Sequence, residues 1–419
     1  MAKPKLALIP AAQGTKLYSV LPSDGVGDFT FARGSVATRI NAQGLIENVA
    51  SGVSRLNYPM IDGIQKGCPH HILEPARTNV VQYSENFSQS YWTKSGLSIV
   101  SNNAISPDGS LNASKLVEGT NNGTHYLEKV FGSADGSTNT VSLFAKKAER
   151  NHITIYCGGN SSDSSTFNLK NGTSVDNGTS TSKIELISNG WYRCSVTSIN
   201  KNKYIYIMPN NGESDVYTGD GSSGIYVYGA QFEAGSYPTS YIPTSGTAVT
   251  RSAETATGAG NASTFNDSEG VLMTEISAFD VVANSKAISI YKTSSPTSNA
   301  VILYYNANRI AFDILNPSGT VSVNTDINNA KELNKVAIKY KSGDIALWFN
   351  GLELVTRTNT LSLSGLDKLE FDFVSNNDFY GKTKQLQYFD SALADTQLEQ
   401  LTSWQSFTDM ANGQLYTIE

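Results

Sequence analysis

The chain has 419 residues, with 31 Lys+Arg against 37 Asp+Glu, a net charge of −6 and a pI near 5.4. That balance excludes a protein whose main partner is nucleic acid, because backbone binding needs a basic face to release counterions. Only 16% of residues are charged, while 39% are hydrophobic and Tyr (21) and Phe (16) are plentiful, a composition that can bury cores and suits strands and tight turns.

The opening residues carry only a four-residue apolar run before Pro10, short of the ~7–15 apolar residues of a secretory signal. No stretch approaches the ~18–20 apolar residues of a membrane span. A soluble chain made in a reducing cytoplasm is therefore expected, with Cys68, Cys157 and Cys194 as free thiols, since none lies in a C-x-x-C spacing. Residues 1–73 read as short segments (6–9, 29–31, 37–40) joined by turns at Gly25, Gly27, Gly34, Gly44 and Gly52. They hold too little apolar material for a large core of their own. An extended N-terminal attachment segment, packed along another domain or another subunit, is the expectation.

Residues 74–254 hold eight strand-like runs, at 115–117, 125–131, 140–145, 152–157, 183–187, 191–196, 204–208 and 224–232. Ile153, Ile155 and Cys157 share one face, with His152, Thr154 and Tyr156 on the other, and eight such runs suit a two-sheet jelly roll. A Ser/Thr/Ala/Gly-rich passage at 244–266 reads as a linker, assigned to 255–267. Residues 268–419 are again strand-like. Within 336–355, Ser342-Gly343-Asp344 and Asn350-Gly351 cut a three-strand meander, the Asn-Gly pair marking a type I′ hairpin turn. Strands follow at 368–373 and 381–389. A short helix at 395–402 would turn Leu398 and Leu401 toward the sandwich. The fold class is all-β: two tandem jelly-roll β-sandwiches preceded by an extended N-terminal segment, with one short C-terminal helix and a tail.

Three stretches resemble known families. Residues 29–47 (Phe-Thr-Phe-Ala-Arg-Gly-Ser-Val-Ala-Thr-Arg-Ile-Asn-Ala-Gln-Gly-Leu-Ile-Glu), with Leu73-Glu-Pro-Ala-Arg-Thr-Asn79 and Tyr83-Ser-Glu-Asn-Phe-Ser88, are similar to the opening of many bacteriophage structural proteins. Residues 228–244 resemble the end of a carbohydrate-binding-module-like jelly roll. Leu347-Trp-Phe-Asn-Gly351, with Phe379-Tyr-Gly-Lys382 and Phe389-Asp-Ser-Ala-Leu393, is similar to concanavalin-A-like and laminin-G-like sandwiches. These resemblances imply a virion appendage (head fibre, tail fibre or spike) carrying glycan-binding-type sandwiches, and the expectation is that it is not an enzyme. Such a protein would form a homotrimer, meet other virion proteins through its N-terminal segment, and attach to host-surface glycan. It would be made in the host cytoplasm and exposed on the particle, with no membrane insertion. A capsid or tail decoration without ligand and a capsule-degrading glycosidase are the alternatives.

Concanavalin-A-like glycosidases carry Glu-x-Asp-x-(x)-Glu on one strand. Here Glu370 and Asp372 match, but Val374 and Ser375 stand where the third acid belongs. Alternation sets Leu369, Phe371 and Phe373 inward and the two acids on a solvated face. His70, His71, His125 and His152 sit beside no Gly-x-Ser-x-Gly elbow, and adjacent His70 and His71 on a strand would point apart, so loop or contact roles are expected. The polar run Ser375–Asp378 reads as a turn, with Ca²⁺ ligation as the rival. No cofactor or metal site emerges. Sugar binding needs exposed aromatic faces flanked by hydrogen-bonding groups. Trp348 shares the outer face of its strand with Ala346, opposite Ile345, Leu347 and Phe349, and Lys339 lies outside on the neighbouring strand. Trp348 is thus a candidate platform or a covered contact. Tyr204, Tyr206, Tyr226 and Tyr228 form an outward run that could meet glycan or another subunit. Trp191 reads as core, and Trp92 and Trp404 as packing anchors.

Overall fold

Burial with a period of two runs through the computed structural model, which describes residues 3–14, 16–133, 136–199, 203–280, 286–374 and 377–404. In Phe29–Ala32 the order is buried, exposed, buried, exposed. Each such strand commits one face to a core, and two sandwiches result. Among the described residues the architecture is all-β with one short α-helix, Asp395–Thr402.

The first sandwich pairs two six-stranded antiparallel sheets. One runs Thr93–Ser95, Tyr126–Gly132, Lys203–Asn210, His152–Tyr156, Ser164–Asn168, Thr173–Asp176; the other runs Leu97–Ile105, Leu111–Glu118, Gly224–Ala234, Thr138–Lys147, Tyr192–Ile199, Thr181–Leu186. Leu127, Ile155, Ile207 and Phe167 from the first sheet meet Leu116, Val141, Val196 and Val227 from the second. All eight expected runs are strands. Thr93–Ser95, Leu97–Ile105, Ser164–Asn168 and Thr173–Asp176 are additional, and their Ser, Thr and Asn residues hid them.

The second sandwich sets a five-stranded sheet, Gly319–Asp326, Arg309–Asn316, Ala300–Tyr305, Lys286–Tyr291, Lys368–Glu370, against a larger one. Along the larger sheet the order is Thr255–Thr257, Phe29–Ala32, Lys16–Leu21, Leu6–Gln13, Gly381–Phe389, Glu269–Ala278, Asn334–Lys341, Ile345–Phe349, Leu352–Arg357. The N-terminal region does pack along another domain. It does so as sheet, though, not as an extended arm: Leu6 pairs with Tyr388 and Leu8 with Leu386. Leu6, Leu8, Leu17, Phe29 and Phe31 are too few to build a core, yet they complete this one. The expected linker is likewise ordered. Val249–Arg251 pairs with Arg77–Asn79, Thr255–Thr257 edges the large sheet, and Ala256, Ala259 and Phe265 enter the core. The meander forms as read, with Asn350 at φ 49° and Gly351 at φ 88° making its second turn. The helix rests on the outer face of the large sheet, where Leu398 meets Val271, Met273 and Trp348. Lys339 is buried beneath it, not left outside, and its Nζ lies 2.8 Å from Asp395 and 2.7 Å from Asp344.

Between the sandwiches lies a buried ionic cluster of Arg33, Arg55, Arg251, Glu74 and Glu254. Arg33 reaches Glu254 at 2.7 Å, Arg55 reaches Glu74 at 2.8 Å, and Arg251 reaches Glu74 at 2.9 Å, all essentially without solvent exposure. Arg55 also pairs with Glu254 and donates to Thr38 O (2.8 Å) and Ser240 Oγ (2.6 Å). Burial alone would raise the pKa of Glu74, but the Arg251 and Arg55 guanidiniums outweigh it and hold the carboxyl well below the usual range. Removing one partner strands a buried charge, so Glu74→Ala is expected to cost about 3–5 kcal/mol, read as a fall in the denaturant midpoint. A carboxyl depressed in the fold contributes its full stability above the unfolded value of ~4.3 and loses it as pH falls. The wild-type midpoint should therefore drop steeply below about pH 4; a midpoint unchanged between pH 7 and pH 3 would contradict this.

Candidate functional site

In the first sandwich Leu127, Ile153, Ile155, Ile205 and Ile207 face inward, with no exposed surface. The intervening residues must stand on the outer face of that sheet. Tyr126 and Glu128, Tyr204 and Tyr206, and Tyr156 come from three adjacent strands, and the register sets Tyr206 opposite Glu128 on one side and Tyr156 on the other. Tyr204 and Tyr206 stack with ring centroids 6.2 Å apart at 15°. Tyr126 and Tyr156 meet Tyr206 from either side at 5.4 and 5.5 Å, inclined at 63° and 59°. All four are half-buried.

A polar margin borders these rings. Asn177 Nδ2 donates to Ser164 Oγ at 3.1 Å and Thr166 Oγ1 at 3.2 Å. Asp215 accepts from Thr154 Oγ1 at 2.7 Å and from Asn210 Nδ2 at 2.6 Å. Partial burial, then the hydrogen-bonded Glu128 carboxylate, raise the pKa of Tyr206; burial and the charge of Asp215 raise that of Tyr156. Both phenols stay protonated at neutral pH, with the Tyr206 O–H donated to Glu128. The patch thus offers apolar ring faces beside hydroxyl, amide and carboxylate groups, which suits stacking on a pyranose and hydrogen bonding to its hydroxyls. Among the described residues no cluster of His, Cys, Asp and Glu could hold a metal ion.

The structure brings Tyr204 and Tyr206 together but not with Tyr226 and Tyr228, which lie on Gly224–Ala234 in the opposite sheet. Tyr228 is 2% exposed, and its hydroxyl lies 3.0 Å from carboxylate oxygens of both Glu85 and Asp108, which share its one proton. Tyr226 packs against the cluster of Ile46, Phe144, Trp191 and Tyr241, so the N-terminal region covers this face. Trp348 does share the outer face with Ala346, but the helix covers it and leaves 6% exposed, so it offers no open platform. Trp191 is core. Trp92 donates Nε1–H to Tyr83 O at 3.1 Å, and Trp404 lies 4.6 Å from the Lys335 ammonium.

Glu370 and Asp372 are buried, contrary to the solvated face expected. Glu370 accepts from the Tyr291 hydroxyl and pairs with Lys368 at 2.8 Å, while Asp372 accepts the Phe373 and Asn377 amides. The strand stops at Glu370, and Phe373 turns outward to join Tyr291 and Ala300. Residues 375 and 376 of the predicted polar turn lie outside the described residues. His70 and His71 are buried on the strand His70–Leu73, not in a loop; His125 is buried and His152 half-buried. Tyr126 and Tyr156 were missing from the predicted site. Both lie in predicted strands with outward parity, but which strands are neighbours is not written locally.

The chain matches no protein-family model and no curated protein. It is similar to several solved structures. The carbohydrate-binding module CBM40 of the Ruminococcus gnavus IT-sialidase is 16% identical over 35% of this chain and 94% of that one, with a TM-score of 0.31. The same module bound to α2,3-sialyllactose gives 0.30 with the same coverage. The botulinum neurotoxin serotype G binding domain is 13% identical over 36% of this chain and 39% of that one, with a TM-score of 0.28. At such scores the likeness says nothing about a ligand.

Trp348→Ala opens a cavity beneath the helix. It is expected to cost about 3–5 kcal/mol of stability in denaturant unfolding, and to leave retention on any immobilised glycan unchanged.

Proposed function

We propose that this protein is a non-enzymatic glycan-binding protein whose first sandwich holds sugar on Tyr126, Tyr156, Tyr204 and Tyr206. The observation that carries the reading is the convergence of four half-exposed phenol rings from three strands, bordered by amide and carboxylate groups. The equivalent faces around Tyr228 and Trp348 are covered by the protein itself. The one acidic pair resembling a glycosidase motif is engaged by Tyr291, Lys368 and backbone amides, whereas a retaining glycosidase needs two carboxylates open to the sugar about 5–5.5 Å apart. The setting we infer is a bacteriophage virion appendage, a homotrimer exposed on the particle and attached to host-surface glycan. Support for that setting is the resemblance of residues 29–47 and 73–88 to phage structural proteins. Attachment to other virion proteins would use the surface of a folded sheet, since residues 6–32 supply three of its strands.

On a glycan array, Tyr206→Ala is expected to lose at least about tenfold in affinity, some 1.4 kcal/mol or more, while Tyr206→Phe, which keeps the ring, retains most of it. Binding that survives Tyr204→Ala and Tyr206→Ala together would sink the assignment. Light scattering should give three times the chain mass of 45.1 kDa; a monomer would refute the trimer. Release of reducing sugar from a bound glycan would refute the non-enzymatic reading.

A further inference from the structure

The hairpin formed by Met60–Ile61 and Ile64–Gln65 wedges between the two sandwiches. Its tip is seated closely: a Cβ on Gly63, at φ +73°, would lie 2.7 Å from Ile187 O, so only glycine fits there. A hollow opens on each side. On the first-sandwich side, Asp62, Lys147, Lys170, Asn189 and Tyr192 help to line a cavity of about 270 Å³, large enough for one sugar ring. On the second-sandwich side, Lys66, His70, Lys331, Lys382 and Lys384 help to line a smaller one of about 50 Å³. Gly63 and Lys66 are three residues apart, so at most about 11 Å separates the two linings along the chain.

The charges around this hairpin are mostly of one sign. Lys384 is paired with Glu275 at 3.1 Å, and Lys66 with Asp62 at 3.9 Å. Among the described residues, no carboxylate lies within 4.0 Å of the Lys147, Lys170, Lys331 or Lys382 ammonium. Lys382 is half-buried, and burial followed by the nearby Lys183 lowers its pKa against the pull of Glu185 and Glu74. Lys147, Lys170 and Lys331 are exposed at the mouths of the hollows, and an ammonium without a close counter-ion gains Coulomb energy when an anion approaches. Tyr192 and Asn189 add a ring and an amide to the larger hollow, the groups a sugar requires beside the charge.

We propose that the seam on both sides of the Met60–Gln65 hairpin binds an acidic glycan, its carboxylate or sulfate groups held by Lys147 and Lys170 on one side and by Lys331 and Lys382 on the other. This rests on the glycan-binding reading and names its ligand class. It also adds a second contact region, distinct from the tyrosine face.

The test uses an oligogalacturonate and its methyl ester, which share sugars and length and differ in charge. The acid is expected to bind at least tenfold more tightly than the ester in low salt. Lys147→Gln with Lys170→Gln, and separately Lys331→Gln with Lys382→Gln, should each reduce acid binding at least fivefold while leaving the melting temperature in place. Cys68 supplies a readout of location. It is exposed on the rim of the smaller hollow, whereas Cys157 and Cys194 are buried with their thiol pKa values pushed up by burial. A neutral disulfide reagent should therefore label Cys68 alone, and the acid, not the ester, should slow that labelling. Equal binding of acid and ester overturns the inference and leaves glycan binding by the tyrosine face standing. Equal binding of a duplex DNA of matched charge overturns it in favour of a surface for polyanions in general. Binding by neither oligosaccharide overturns it, and a blank neutral-glycan array would remove the underlying reading as well.

Discussion

Five buried ionic side chains hold the molecule in one arrangement. Arg33 and Arg55 come from the N-terminal region, Glu74 from the start of the first sandwich segment, and Arg251 and Glu254 from the stretch joining the two sandwiches. Ser240 extends the network by donating its amide to Glu74 at 2.8 Å. Desolvating five charges costs several kcal/mol each, and a well-packed apolar cluster of the same volume could match it in stability. What the ions supply is selectivity. Any other juxtaposition of these three chain segments leaves a guanidinium or carboxylate buried without a partner, so competing dockings of the sandwiches are heavily penalised.

The network also explains why a region poor in apolar residues is ordered. The short segments of residues 1–73 enclose no core, yet their strands finish the core of the second sandwich and their arginines meet the carboxylates between the two. The hairpin at Met60–Gln65 lies in the chain between Arg55 and Glu74, both fixed in the cluster. Its position between the sandwiches follows from those anchors and from the tight seat of Gly63 against Ile187.

Much of this was legible in the residues, and the exceptions share one cause. Alternation identified the strands of the first sandwich, Asn350-Gly351 identified the turn of the meander, and the spacing of Leu398 and Leu401 located the helix. These are local signals. The pairing of Leu6–Gln13 with Gly381–Phe389 joins residues nearly four hundred positions apart, and nothing in either strand names its partner. Residues 244–266 look like a linker by composition because Arg251 and Glu254 acquire their meaning only from Arg33, Arg55 and Glu74.

The same limit decides where the site lies. Parity alone places Tyr206, Tyr228 and Trp348 on outer faces with equal force. The three differ in what lies above them. Trp348 supports a helix whose first turn is pinned through Asp395 to Lys339, and Tyr228 is buried against Phe144 and Tyr241 with its hydroxyl between Glu85 and Asp108. Tyr206 meets its fellow tyrosines and Glu128 and stays half-exposed. Charge selects ligands by a comparable local rule. The net charge of −6 would repel an anion at long range, but at physiological ionic strength charges more than ~8 Å away are largely screened. The acidic glycan we propose would therefore respond to the lysines flanking the Met60–Gln65 hairpin and not to the molecule's total charge. An acidic protein can in this way present a basic seam, provided the fold gathers lysines from distant strands into one place.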